Sequence, residues 1–223
     1  MSETFDSKHC QFKSPFTMLV AGPTSSGKTS FVRKLLSEHQ RLTTINAGET
    51  LRVLWCYGQH QSTYNIPINN AQIIYREGLI GDEELSSIKP HLIVLDDLQN
   101  ELVNKKELGD LFMKKSHHMN ISTIVILQNI YAQGSQMRNV SLNAHYLILF
   151  KNNRDEEQYS RLGRQLCPGN KAFFADILND VFSKEYGYLL VDCHPTTPNK
   201  LKYRTDILPN ADGCQPIVYM QRA

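Results

Sequence analysis

Five short apolar runs rich in β-branched residues, at 17–21, 53–57, 92–95, 123–127 and 146–150, recur at spacings wide enough for a crossover connection. Their hydrophobicity is nearly continuous instead of alternating, so each strand must be covered on both faces, as in a parallel sheet between helices. Helical periodicity separates several of them, at 30–39, 82–88, 105–115 and 155–165. In the first of these Phe31, Val32, Leu35 and Leu36 share one face, and in the third Leu108, Leu111 and Phe112 do. A further extended run at 71–75 predicts a short strand, and 188–192 with 202–207 predicts a C-terminal strand pair. The expected architecture is α/β, a mainly parallel central sheet flanked by helices.

With 223 residues the chain can bury a full core, and no low-complexity linker or repeat divides it. One domain is expected over 1–223, with its core at about 13–208 and looser tails, mobile or on a neighbouring subunit. Hydrophobic residues make up 41% and charged residues 21%, ordinary values for a soluble globular protein. No apolar run approaches the roughly 18 residues of a membrane span, and the polar opening MSETFDSKHCQFK lacks a signal-peptide pattern, so an intracellular protein without membrane contact is expected. The five cysteines are scattered with no CxxC pair, and Cys193-His194 alone does not make a metal site. The net charge of +2 is small, yet residues 111–171 hold eight Lys/Arg against three acids. Such a bias fits a phosphate-facing surface and an ordinary solvated face equally well.

The first strand runs directly into Gly22-Pro23-Thr24-Ser25-Ser26-Gly27-Lys28-Thr29, followed by Ser30 and the first helix. This satisfies every fixed position of the pattern GxxxxGK(S/T) in the strand–loop–helix context it requires. Glycines let the backbone close on a polyphosphate, and successive N–H groups with the helix N-terminus make an anion-binding concavity. Lys28 adds a mobile cation for the β- and γ-phosphates, and the Thr29 hydroxyl is placed to ligate a phosphate-bound Mg²⁺. The expected ligand is a nucleoside triphosphate, ATP, with Mg²⁺.

The third run ends in Asp96-Asp97, two carboxylates at the C-terminal sheet edge where α/β proteins bind ligands. Asp96 is the candidate metal-side acid, and Asp97 the candidate base that orients and deprotonates water. The next strand ends in Gln128, a neutral amide suited to sensing the γ-phosphate. This order belongs to P-loop NTPases with an extra strand between the loop strand and the acidic strand. Such enzymes often act as rings with an arginine reaching across an interface. Candidates are Arg138 and Arg154, with Lys114 and Lys115 as competitors.

The loop, Leu92 to Leu98, Ser116-His117-His118, Gln128-Asn129, Leu142 to Tyr146, Phe150-Lys151-Asn152-Asn153-Arg154-Asp155, Leu162 to Gln165 and Gly187 to Asp192 together resemble the genome-packaging ATPases of Maverick/Polinton elements, adintoviruses and related large DNA viruses, including the poxvirus type, within the FtsK/HerA superfamily. The resemblance spans about 13–208. It implies a homo-oligomeric ring, pentamer or hexamer, that hydrolyses ATP to drive double-stranded DNA into a preformed capsid or portal vertex. It also implies work inside a host cell, in the nucleus or a cytoplasmic virus factory, and is compatible with virion association. Two positions depart from the superfamily. Asp97 stands where many members carry Glu, and the stretch before the sensor strand offers Lys114, Lys115, His117 and His118 where cellular translocases often place an arginine. The two histidines also suit a plain helix C-terminus. A helicase or translocase of the same superfamily, and a small-molecule P-loop kinase, are the alternative readings; water activation by Asp97 and Gln128 counts against the kinase.

Overall fold

The computed structural model describes residues 10–46, 48, 50–98, 119–131, 141–208 and 216–221. Its strands are β1 (Thr17–Ala21), β2 (Leu51–Tyr57), β3 (Ala71–Glu77), β4 (Leu92–Asp96), β5 (Ser122–Leu127), β6 (Tyr146–Phe150), β7 (Tyr188–Asp192), β8 (Tyr203–Thr205) and β9 (Ile217–Tyr219). Its helices are α1 (Lys28–Ser37), α2 (His39–Leu42), α3 (Asp82–Ile88), α4 (Glu157–Leu166) and α5 (Lys171–Phe182). The strands form one sheet in the order β3-β2-β4-β5-β1-β6-β7-β8-β9. Pairing is parallel from β3 to β6 and antiparallel from β6 to β9.

Every residue of β1, β4, β5 and β6 is buried, as continuous apolar runs require. Alternate side chains feed two cores. On one face Met18, Val20, Val94 and Ile126 pack with Phe31, Val32, Leu35 and Leu36 of α1. On the other, Leu19, Leu95, Val125 and Leu149 pack with Leu85 of α3, Tyr159 and Leu162 of α4, and Phe174, Ile177 and Val181 of α5. Each of these large side chains contributes about 1.5–3 kcal/mol on full burial. Helices therefore cover both faces, and the layers are α/β/α.

Local chemistry sets the helix ends. Asp82, Glu83 and Glu84 sit in the first turn of α3, where they complement its dipole, and Lys89 adopts a left-handed φ of 48° before Pro90 closes the helix. Asn170 caps α5 by accepting the Phe173 N–H at 3.0 Å. At Gly163 a Cβ would lie 2.7 Å from Cδ1 of Phe174, so glycine lets α4 and α5 approach.

Three expectations shift. Helix α5 was absent from the expected helices, although Phe173, Phe174, Ile177, Leu178, Val181 and Phe182 repeat at helical spacing. The run at 71–75 extends to the full parallel strand β3, in register with β2 over its whole length. The last described residues, expected as a loose tail, add β9 to β8 of the same sheet. The helix expected at 105–115 lies outside the described residues.

Candidate active site

The sheet order puts β5 between β1 and β4, so the loop after β1 faces the acidic end of β4 across one intervening strand. The loop is pinned from below. Gly22 donates its N–H to Leu127 O at 3.2 Å, and a Cβ on Gly22 would come within 2.6 Å of Phe150 Cβ and 2.9 Å of Ser26 Oγ. Only glycine fits there. Gly27 turns the chain into α1 with φ at 98°, and the first internal bond of α1 runs from Phe31 N–H to Gly27 O. The N–H groups of Lys28, Thr29 and Ser30 precede that bond and form a helix N-terminus suited to an anion.

Lys28 Nζ donates to Pro23 O at 2.7 Å, folding the cation back over its own loop. Burial holds its pKa below the usual 10.5, opposed by the charges of Asp96 and Asp97. Ser26 Oγ is buried without a hydrogen-bond partner, an orphaned hydroxyl inside a loop of phosphate-binding pattern.

Asp96 ends β4 at 2% exposure, and Oδ2 accepts the Tyr64 hydroxyl at 2.9 Å. Burial raises its pKa above the ordinary carboxylate value; the Tyr64 hydrogen bond and Lys28 pull it down, and Asp97 pushes it up. A desolvated carboxylate lining the same cleft as the Thr29 hydroxyl suits a hard cation that keeps several waters. No group of three or more His, Cys, Asp or Glu that could cage a metal occurs among the described residues, Cys193-His194 included. Asp97 is exposed and left-handed, with φ at 54°. Gln128 Nε2 lies 3.4 Å from Asp97 Oδ1, so the two side chains meet from neighbouring strand ends.

These groups open on one cleft of about 830 Å³, within the usual range for a ligand site. Thr24, Ser25, Ser26, Gly27, Lys28, Thr29 and Ser30 line it with Asp96, Asp97 and Gln128. Gly22 and Pro23 are not in that lining: Gly22 is pinned to Leu127 O, and Pro23 O is the Lys28 acceptor. Arg154 does not line the cleft; it is exposed in the turn after β6, with its N–H on Asn152 Oδ1 at 3.0 Å. Arg138, Lys114, Lys115, His117 and His118 lie outside the described residues.

Two further residues belong here that no motif marked. Tyr64 sits in the 3-10 turn Ser62–Asn65 between β2 and β3, packed on Trp55, Tyr57 and Tyr75. Gly58 donates to Asp96 O at 2.9 Å, and a Cβ on it would stand 2.3 Å from Asp97 O.

No family model matches the chain, and no curated protein sequence matches it. Solved structures do. The DNA-packaging ATPase B204 from Sulfolobus turreted icosahedral virus superposes with a TM-score of 0.55 at 12% identity, over 81% of this chain and 93% of that one. The genome packaging NTPase B204 from Sulfolobus turreted icosahedral virus 2 does so with ATP-gammaS at 0.54, 12% identity, 80% and 93% coverage. Its AMPPCP complex gives 0.51, 14% identity, 80% and 92% coverage. This is the P-loop NTPase fold. Within it the loop after β1 occupies the phosphate-loop position, β4 is the acidic strand, and β5 is the inserted strand expected between them.

Proposed function

We propose that the chain is a Mg²⁺-dependent ATPase motor of the FtsK/HerA packaging type that translocates double-stranded DNA into a preformed capsid. The observation that carries the hydrolytic part is the meeting of Asp97 and Gln128 at 3.4 Å on the strand ends beside Asp96. A kinase would hand the phosphoryl group to an organic hydroxyl; here an exposed carboxylate paired with an amide suits a water nucleophile.

Each residue then has a role. Lys28 exchanges Pro23 O for the β- and γ-phosphate oxygens, while the α1 N-terminus and Ser26 Oγ donate to the phosphate chain. Thr29 Oγ1 and Asp96 would hold Mg²⁺, which supplies charge neutralisation for the leaving phosphates. Asp97 takes the proton of the attacking water, and Gln128 orients that water and the carboxylate together. Arg154, exposed at the same sheet edge as Phe150, is available to a neighbouring subunit.

The resemblance of the sequence segments and the fold shared with DNA-packaging ATPases support the motor reading. The resemblance alone supports the further proposal of a homo-oligomeric ring of five or six subunits acting at a capsid or portal vertex inside the host cell. No helix among the described residues is long and apolar enough to cross a membrane. The test is ATP hydrolysis with and without duplex DNA across a salt series, alongside particle images with ATP. Hydrolysis stimulated by DNA, DNA binding that falls steeply with salt, and a ring with a pore are expected. Hydrolysis indifferent to duplex DNA, or transfer of the γ-phosphate to a nucleoside, overturns the motor. Strand displacement without capsid association moves the assignment to a helicase. Arg154→Ala subunits mixed with Lys28→Ala subunits regain activity only if Arg154 acts across the interface.

A further inference from the structure

The cleft is divided by polarity about β1. On the side of β5, β4 and β2 its lining carries the amides and acids, Gln128, Asp96, Asp97, Gln59 and Gln61, beside Ile126 and Leu127 of β5. On the side of β6 and β7 it is aromatic and aliphatic: Phe150, Tyr186, Tyr188 and Leu208. The phosphate loop lies between. A triphosphate whose γ end meets Asp96, Asp97 and Gln128 must point its nucleoside toward the other half.

Tyr186 is the residue that stands out there. It immediately precedes Gly187 and β7, whose first residue, Tyr188, pairs with Phe150 at the end of β6. Its backbone is left-handed at φ 54°, which a bulky aromatic residue adopts only at a cost. Burial does not compensate for that cost, because Tyr186 is 63% exposed. The conformation is imposed by its surroundings. A Cβ on Gly187 would lie 2.0 Å from Val181 O, and Gly187 N–H bonds Lys184 O at 3.2 Å, so the turn is locked onto the end of α5. The ring in turn reaches the phosphate loop, where a Cβ on Gly27 would be 3.4 Å from Tyr186 Cδ1. Behind it Tyr188 packs against Phe31 and Phe150, with ring centroids 4.9 and 5.7 Å away.

We infer that Tyr186 is the stacking platform for the nucleobase, and that this half of the cleft accepts purine nucleotides by the face of the base, not by its edge. The inference rests on the nucleotide reading of the phosphate loop. Base–aromatic stacking tolerates any base, because every base offers a π-face, and larger purines gain more. Edge readers are scarce among the described residues. The Tyr188 hydroxyl already accepts the Leu208 N–H at 3.2 Å, and Lys34 is a flexible donor that the N7 of either purine can meet. ATP and GTP therefore bind within a few-fold of one another, and CTP binds more weakly.

Equilibrium competition with a fluorescent ATP analogue tests this without measuring turnover. The competitors are ATP, GTP, CTP and inorganic tripolyphosphate, each with Mg²⁺, on wild type, Tyr186→Ala and Tyr186→Phe. Tyr186→Ala should weaken ATP and GTP roughly tenfold or more, leave tripolyphosphate unchanged, and Tyr186→Phe should behave as wild type. Unchanged ATP affinity in Tyr186→Ala, a proportional loss of tripolyphosphate, or a hundredfold preference for one purine overturns the platform alone. A wild-type protein that binds neither tripolyphosphate nor ATP overturns the phosphate-loop reading itself.

Discussion

The phenolic hydroxyl of Tyr64 donates to Oδ2 of Asp96 across 2.9 Å, and both side chains are buried. The bond ties the loop after β2 to the acidic strand end. Gln59, Gln61 and Thr63 of that loop line the cleft, while Arg33 of α1 donates to Ile66 O at 2.5 Å and to the Tyr75 hydroxyl at 3.4 Å. Loop, acid and phosphate-loop helix are one connected assembly.

Removing that donor should loosen the metal side of the site. Tyr64→Phe keeps the ring packing and deletes one charge-assisted hydrogen bond, so the Mg²⁺ concentration for half-maximal hydrolysis should rise about tenfold, the lower range for partners that orient a metal ligand. A Mg²⁺ titration of ATPase rate measures it, and an unchanged curve would remove Tyr64 from this role.

Binding and turnover should separate between the loop and the second acid. Lys28→Ala should abolish ATP binding, whereas Asp97→Asn should bind Mg-ATP normally and turn over roughly a hundredfold or more slowly. Filter binding beside single-turnover hydrolysis distinguishes the two; wild-type rates in Asp97→Asn would exclude it as the base.

Gly58→Ala should damage turnover from outside the cleft lining. Its Cβ would stand 2.3 Å from Asp97 O, so the backbone carrying the base has to move. A loss of about 1–3 kcal/mol in stability is expected from the overpacking, together with a fall in kcat at little change in KM. Thermal melts and steady-state kinetics check both, and a wild-type kcat contradicts the coupling.

Far from the cleft, Arg204 Nη2 meets Asp192 Oδ2 at 2.5 Å with both groups buried, while Arg204 Nε and Nη1 have no partner. Arg204→Ala strands a buried carboxylate and should cost about 3–5 kcal/mol, whereas Arg204→Met with Asp192→Asn should recover most of it. Urea denaturation of the three proteins reads the difference; equal losses in single and double variants would show that the pair does not act as a unit.

Much of this was legible before the structure. The five continuous apolar runs became β1, β2, β4, β5 and β6 because a strand buried on both faces cannot alternate. Asp97 and Gln128 were predictable as neighbours, since both follow strands that end at the same sheet edge. Tyr64 was not: it reaches Asp96 from a loop without a motif, and the contact depends on how residues 58–70 fold over the sheet. Gly58 reads in sequence as an ordinary turn glycine, and its constraint comes from a carbonyl 39 positions later. Arg154 illustrates another limit: its place after the fifth apolar run is plain in the sequence, but not that the turn after β6 leaves it exposed and off the cleft lining.

The central place of β1 also has a consequence for how the protein is made. Its partners are β5 and β6, and β5 begins at Ser122, about 100 residues after β1 ends at Ala21. At ribosomal speeds of about 5–20 residues per second, the strand bearing the phosphate loop waits roughly 5–20 s with both edges open. During that interval β2, β3 and β4 can already pair with one another. The nascent chain thus exposes longest a strand that is buried throughout in the native fold, which makes early chaperone engagement and the rate of synthesis determinants of yield.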